Sequence, residues 1–307
     1  DDGNREHHGA NRTAGPGAAS GWSERYHGGG ASSIRCPPTV PGTVCAMSDE
    51  PELLSDIADG VATFTINRPK QRNAISWPVL EHLRSGLAGV RERDDVRVVV
   101  LTGSGDRAFC SGADLSGMAE GAGHLALHDS RGELARLFAD LWDLGMPTIA
   151  KVRGYALAGG MGLALSCDMV VAADDAVFGV PEIDVGLWPY MITVPMTRSM
   201  PPKKALELMM TGRRVPADEG ERIGFVNRLV APDQLDAAVD ELAAVLASKS
   251  PAAMALGRSS FYSVWGKSAA DALEVLHPML TITAGSDDAA EGIAAFLEKR
   301  DPEWTGT

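Results

Sequence analysis

The amino-acid sequence predicts an α/β protein, a largely parallel sheet interleaved with helices and followed by a helical C-terminal region. Two observations predict it. From residue 53 to about residue 200, short β-branched runs alternate with stretches whose apolar residues recur every three or four positions, as βαβ units require. Beyond residue 200 the strand signal nearly vanishes and helical stretches follow one another.

Leu53–Ile57 and Val61–Ile66 flank Ala58-Asp59-Gly60, whose Asp-Gly pair is a hairpin signal. Val79, Leu83, Leu87 and Val90 make a helical stripe. Val96–Leu101 (VRVVVL) is β-branched and stops at Thr102-Gly103-Ser104-Gly105. A helix around Leu134–Leu144 runs up to Pro147, and Thr148–Val152 and Met169–Ala172 read as buried strands. Later helices are expected at 203–211, 216–223, 233–247, 251–265, 268–283 and 286–299, with a short strand around Val226–Val230. The stripes Leu273/Leu276/Leu280 and Ile293/Phe296/Leu297 on the last two helices need a partner, either the core or another subunit.

Composition narrows the function classes. At 307 residues and 45% hydrophobic, the chain can fill one substantial core. It has no uninterrupted apolar run of about 18 residues, so no spanning helix is expected. A formal net charge of −13 disfavours nucleic acid and anionic membranes as partners. Cys36, Cys45, Cys110 and Cys167 form no C-x-x-C pair, so neither a metal site nor a disulfide framework is expected, and a reducing cytoplasm fits best. Residues 1–46 are rich in Gly, Ser and Pro without periodicity, and the first methionine, Met47, stands where globular patterning begins. This divides the chain into a disordered extension (1–46), a core domain (47–248) and a C-terminal helical region (249–307).

Three segments can carry chemistry. They are Ala108–Leu115 (AFCSGADL), Gly154–Gly162 (GYALAGGMG) and Phe178–Gly186 (FGVPEIDVG). The first two place small residues between a strand's end and a helix's start, where a ligand can approach backbone N–H groups. Side by side they can bind a developing oxyanion, although strand–helix packing uses the same residues. A dinucleotide site fails, because Leu165 stands where the third glycine of G-x-G-x-x-G belongs, and no P-loop occurs.

The order and spacing of these three segments resemble the enoyl-CoA hydratase/isomerase (crotonase) superfamily. So do Asn67-Arg68-Pro69, Arg72-Asn73-Ala74-Ile75, Thr211-Gly212-Arg213-Arg214, Gly224-Phe225-Val226-Asn227 and the ending Gly292–Arg300. The resemblance runs from about residue 53 to 304. It implies a spiral of ββα units, assembly as a homotrimer or hexamer through C-terminal trimerisation or lid helices, and an acyl-CoA substrate with no cofactor beyond its own CoA moiety.

By motif position, the resemblance implies that the N–H groups of Ala113 and Gly159 polarise the thioester carbonyl and that Glu182 is the acid/base. The CoA moiety would lie along Arg72, Ala74, Asp114 and Leu115, helped by Phe296 and Lys299, although Phe296 also suits a core position on its stripe. Hydratases of this family resemble one another in two glutamates. Here Gly162 takes the first place, and only Glu182 remains. Hydration needs water activated at Cβ, whereas a 1,3-proton shift needs one base, so isomerisation is favoured. A hydratase that recruits another group, a different acyl-CoA chemistry such as decarboxylation or thioester hydrolysis, and a non-catalytic CoA-binding homologue stay open.

Asp184 is a secondary candidate, sharing Glu182's side only if the segment is extended, and Tyr190 is another through its hydroxyl. Leu187–Ile192 can line an acyl tunnel or pack in the core. Asp168 is expected to close a helix-to-strand turn, and His124 and His128 to lie on a surface helix.

Overall fold

The computed structural model describes residues 50–114 and 123–307. The extension 1–46, Cys36, Cys45 and the site candidate Leu115 lie outside the described residues. All that follows falls within the unit Ser48–Thr307.

Among the described residues, ten strands make two sheets. The larger has the order β1-β2-β3-β5-β7-β10, from β1 (Leu53–Ala58), β2 (Val61–Ile66), β3 (Val98–Gly103), β5 (Thr148–Val152), β7 (Met169–Ala173) and β10 (Arg228–Val230). The β1–β2 pair is the antiparallel hairpin the Asp-Gly turn predicts, with Ala58 opposite Val61, and every later pairing in this sheet is parallel. The smaller sheet has the order β4-β6-β8-β9, from β4 (Ala108–Cys110), β6 (Tyr155–Leu157), β8 (Val177–Gly179) and β9 (Val215–Pro216). The chain visits the sheets alternately. β3 leads to β4, β5 to β6 and β7 to β8, so each turn of a spiral adds one strand to each sheet.

Helices fill the intervals: α1 (Trp77–Arg91), α2 (His124–Trp142), α3 (Gly159–Ser166), α4 (Thr193–Ser199), α5 (Pro202–Thr211), α6 (Ala217–Ile223) and α7 (Leu235–Ala247). The stripe Val79, Leu83, Leu87 and Val90 is the buried face of α1. Within the run VRVVVL, the β3 residues Val98–Leu101 are apolar without alternation because both faces of β3 are covered. Val99 and Leu101 enter the main core, while Val98 and Val100 pack with Leu235, Val239 and Leu242 of α7.

The C-terminal region is α8 (Pro251–Val264), α9 (Ala269–Ala284) and α10 (Asp287–Glu298). Arg258 fastens it to the core. Its Nε donates to both oxygens of Asp168 at 3.0 and 2.8 Å, and its other nitrogens donate to the carbonyls of Trp142 and Leu141 at the end of α2. Asp168 also accepts from the Thr148 N–H and the Tyr262 hydroxyl, so it joins three elements at the α3–β7 turn. Asp288, buried at the start of α10, accepts from Ser250 Oγ and from the N–H groups of Thr305 and Gly306.

The apolar stripes on α9 and α10 do not join the core. Leu273, Leu280, Ile293 and Leu297 are exposed, and Phe296 is 83% exposed. The core alternative for Phe296 is therefore corrected: α10 buries Asp288 and Ala295 instead and turns Phe296 outward. No helix among the described residues is long and apolar enough to cross a membrane.

Candidate active site

The three chemistry-bearing segments leave the ends of neighbouring strands. β4, β6 and β8 are adjacent and parallel, so their C-terminal ends share one edge of the small sheet. Residues 111–114, 158–159 and 180–182 emerge there side by side.

Asn73 builds the first wall. It is buried, with Nδ2 donating to the carbonyls of Ala108 and Ser104 at 2.6 and 3.0 Å, and Oδ1 accepting from the Arg68 N–H. Arg72 and Asn73 both have positive φ, 52° and 55°, and this tight bend lays the 72–75 loop along the 111–114 strand. Ser111 N–H donates to Arg72 O, Ile75 N–H to Gly112 O and Asp114 N–H to Ile75 O. Because the flanking groups of Gly112 and Asp114 take up the bridge to Ile75, the Ala113 N–H faces away from it. Ala113 N–H has no acceptor among the described residues.

The second wall is the start of α3. Ala158 holds φ 50° and ψ −129°, a conformation rare for a residue with a Cβ, and its N–H donates to Gly179 O at 2.8 Å. The kink turns the chain directly from β6 into α3. It leaves Gly159 at the first helical position, where the N–H has no intrahelical partner and the helix dipole is positive. Glycine is needed at 112, where φ is 102° and a Cβ would lie 2.7 Å from Ala158 Cβ, and the two walls approach closely. A Cβ at Gly159 would lie 3.6 Å from the Ala113 nitrogen, and one at Gly112 would lie 3.3 Å from the Gly159 nitrogen. Two orphan N–H groups thus stand on facing stretches of backbone. Such a pair can stabilise negative charge on a carbonyl oxygen.

Glu182 follows β8 in a 3-10 turn, Pro181–Val185. Its Oε2 is buried without a hydrogen-bond partner. Burial pushes its carboxyl above the usual range, partly opposed by a backbone N–H and by the charge of Arg214. A half-buried carboxyl without an ion-pair partner can both take and return a proton near neutrality. Cys110 is no nucleophile, since burial raises its thiol to about 12.

The segment after Glu182 is not extended, which decides the condition on Asp184. In a 3-10 turn a residue two positions on points elsewhere. Asp184 is exposed, with its carboxylate oxygens 3.0 and 3.1 Å from where a Cβ of Gly212 would lie. Tyr190 is 74% exposed. Leu187–Ile192 divides its roles: Ile192 is buried, Leu187 is exposed and Met191 lines a cavity. Of the proposed CoA contacts, Arg72 and Ala74 border the first wall, and Asp114 pairs with Arg68 at 2.8 Å. Phe296 and Lys299 are exposed on and just after α10.

Sequence reasoning missed what occupies the Gly162 position. A Cβ there would lie 2.8 Å from Phe138 Cζ on α2 and 3.0 Å from Ile192 Cγ1. No local pattern announces this, because the three residues meet only in the fold. It also missed a cavity of about 300 Å³ reached at Ala113, walled by Ile75, Trp77, Leu80, Leu134 and Met191. A larger cavity, about 500 Å³, lies between Trp142, Arg198 and α8 and touches none of the three segments.

The family model for enoyl-CoA hydratase/isomerase matches residues 56–307. The chain belongs to that family. Enoyl-CoA hydratase domain-containing protein 3, mitochondrial, from Mus musculus is 31% identical over 288 residues, covering 92% of this chain and 94% of the mouse protein. Carnitinyl-CoA dehydratase of Proteus mirabilis is 34% identical over 251 residues, covering 80% of this chain and 95% of its own. The crystal structure of an enoyl-CoA hydratase from Mycobacterium smegmatis superposes with a TM-score of 0.79 at 36% identity, covering 83% of this chain and 99% of that one. The spiral of two sheets with its helical C-terminal region is the crotonase fold of this family, as the sequence predicted.

Proposed function

We propose that this enoyl-CoA hydratase/isomerase family member is a single-glutamate isomerase that converts 3-enoyl-CoA to 2-enoyl-CoA. The observation that carries the reading is the Gly162 position. The resemblance places a hydratase's first glutamate there, and Phe138 and Ile192 occupy the space instead. Glu182 is then the one carboxylate expected from the family's pair.

The thioester carbonyl oxygen sits between the N–H groups of Ala113 and Gly159. Glu182 takes a proton from Cα, and the electron pair delocalises to the carbonyl oxygen and Cγ as a dienolate. The same carboxyl returns the proton at Cγ, leaving the double bond conjugated with the thioester. No water is consumed. The two N–H groups bind the oxyanion more tightly than the neutral carbonyl, so they act on the transition state. Arg72, Ala74 and Asp114 border the CoA path in this reading, with Phe296 and Lys299 reaching it from a second copy in a homotrimer or hexamer.

The Glu182→Gln variant tests the role of the carboxyl. It should lose turnover by about 10³-fold or more while binding acyl-CoA with near-native affinity. Equal turnover in variant and wild type would overturn the assignment. The Gly162 observation also favours a second reading, a CoA-binding protein without turnover. Isothermal binding of acyl-CoA with no product formed by wild type would establish that reading instead.

A further inference from the structure

The 300 Å³ cavity at Ala113 has an apolar wall and a charged end. The apolar wall suits hydrocarbon, not the amides and phosphates of CoA, so the cavity receives the acyl arm of a thioester held at the Ala113 N–H. Its charged residues are Arg68, Asp114 and Arg131. Arg68 is satisfied, bridging Glu52 at 3.2 Å and Asp114 at 2.8 Å. Arg131, on α2, differs. It makes no hydrogen bond or ion pair among the described residues. Its neighbour Glu133 is already engaged by Arg84 and Arg136.

Arg131 is solvent-exposed at the cavity's charged end and pairs with no carboxylate among the described residues, Asp114 being taken by Arg68, so its guanidinium is a ready partner for an anionic group on a ligand. Its planar fork matches a carboxylate through two parallel hydrogen bonds. Resting on the acyl-CoA reading, we infer that the preferred substrate carries an anionic group, a carboxylate in the simplest case, at the far end of a short acyl chain, and that Arg131 recognises it. The cavity's volume, at the low end for ligand sites, fits a short chain.

The test compares two CoA thioesters of equal length, hexanoyl-CoA and the adipic acid monothioester, by isothermal titration against the whole protein. The wild type should bind the carboxylate-bearing ester at least about 10-fold more tightly, the range of a charge-assisted hydrogen bond. Arg131→Gln should abolish that preference and Arg131→Lys should retain part of it, because a point charge keeps attraction without the fork. A melting curve for each variant checks folding. Equal affinity of the wild type for both esters overturns the inference and leaves the acyl-CoA reading standing. So does an Arg131→Gln variant that weakens both esters and free CoA alike, since Arg131 would then hold the CoA moiety. If neither ester binds, the acyl-CoA reading falls and takes the inference with it.

Discussion

Glu182 is held in a state that costs stability. Its folded-state pKa lies above the unfolded value, chiefly through burial. The neutral carboxyl's contribution is therefore complete below the ordinary carboxylate range and is lost as pH rises through the raised value. Glu182→Gln cannot ionise, so it should melt above the wild type at about pH 8, with the gap closing toward about pH 4. Thermal melts across that range check it. Gly162 makes the complementary point. Gly162→Glu drives a Cβ into Phe138 and Ile192 and buries a carboxylate, and should destabilise by about 2 kcal/mol or more. Adding Phe138→Ala should recover part of that loss, because the clash is removed, even though a cavity partly offsets the gain. Denaturant titration of single and double variants measures the coupling. At this scale the sequence discloses which glutamate is present and which is missing. It hides the ring that fills the gap, since Phe138 reaches Gly162 from a different helix.

Elements bring the site together, and their types were legible where periodicity is strong. The α1 stripe, the Asp-Gly hairpin and the β-branched β3 run each follow from local pattern. The 3-10 turn after Pro181 did not, because a short Pro-Glu-Ile-Asp-Val run fits an extended strand or a turn equally, and only the turn separates Asp184 from Glu182. The adjacency of β4, β6 and β8 was likewise hidden. Parallel neighbours far apart in sequence leave no local trace, yet that adjacency aligns the three segments. Arg258 is the element-scale anchor. It is buried against Asp168, and its removal leaves that carboxylate without a cation. Arg258→Met should cost about 3–5 kcal/mol and loosen α8 from the end of α2. Chemical denaturation, with hydrogen exchange at α8 and α9, reads both effects.

At the scale of the whole molecule, the last two helices expose an apolar face that no described part of the chain covers. Leu273, Leu280, Ile293, Phe296 and Leu297 lie on it, and contiguous apolar surface of this kind marks an interface. A homotrimer or hexamer would bury it. Light scattering should give a mass of about three or six chains, and Ile293→Asp with Phe296→Asp should shift it toward one. A monomeric wild type would overturn the assembly. The α/β class was readable from the alternation of strand and helix signals, the division into two sheets was not, and the stripes showed that partners were needed.

In the proposed isomerase reaction, Glu182 alone moves a proton between Cα and Cγ of a CoA-bound acyl group. The most direct measurement gives the purified protein 3-enoyl-CoA and 2-enoyl-CoA in parallel and follows the conjugated enoyl-thioester absorbance. A single-glutamate isomerase gives a rise with the 3-enoyl substrate and no change with the 2-enoyl one. A fall with the 2-enoyl substrate, with no rise for the 3-enoyl, would contradict it, because hydration would then proceed without a carboxylate at residue 162.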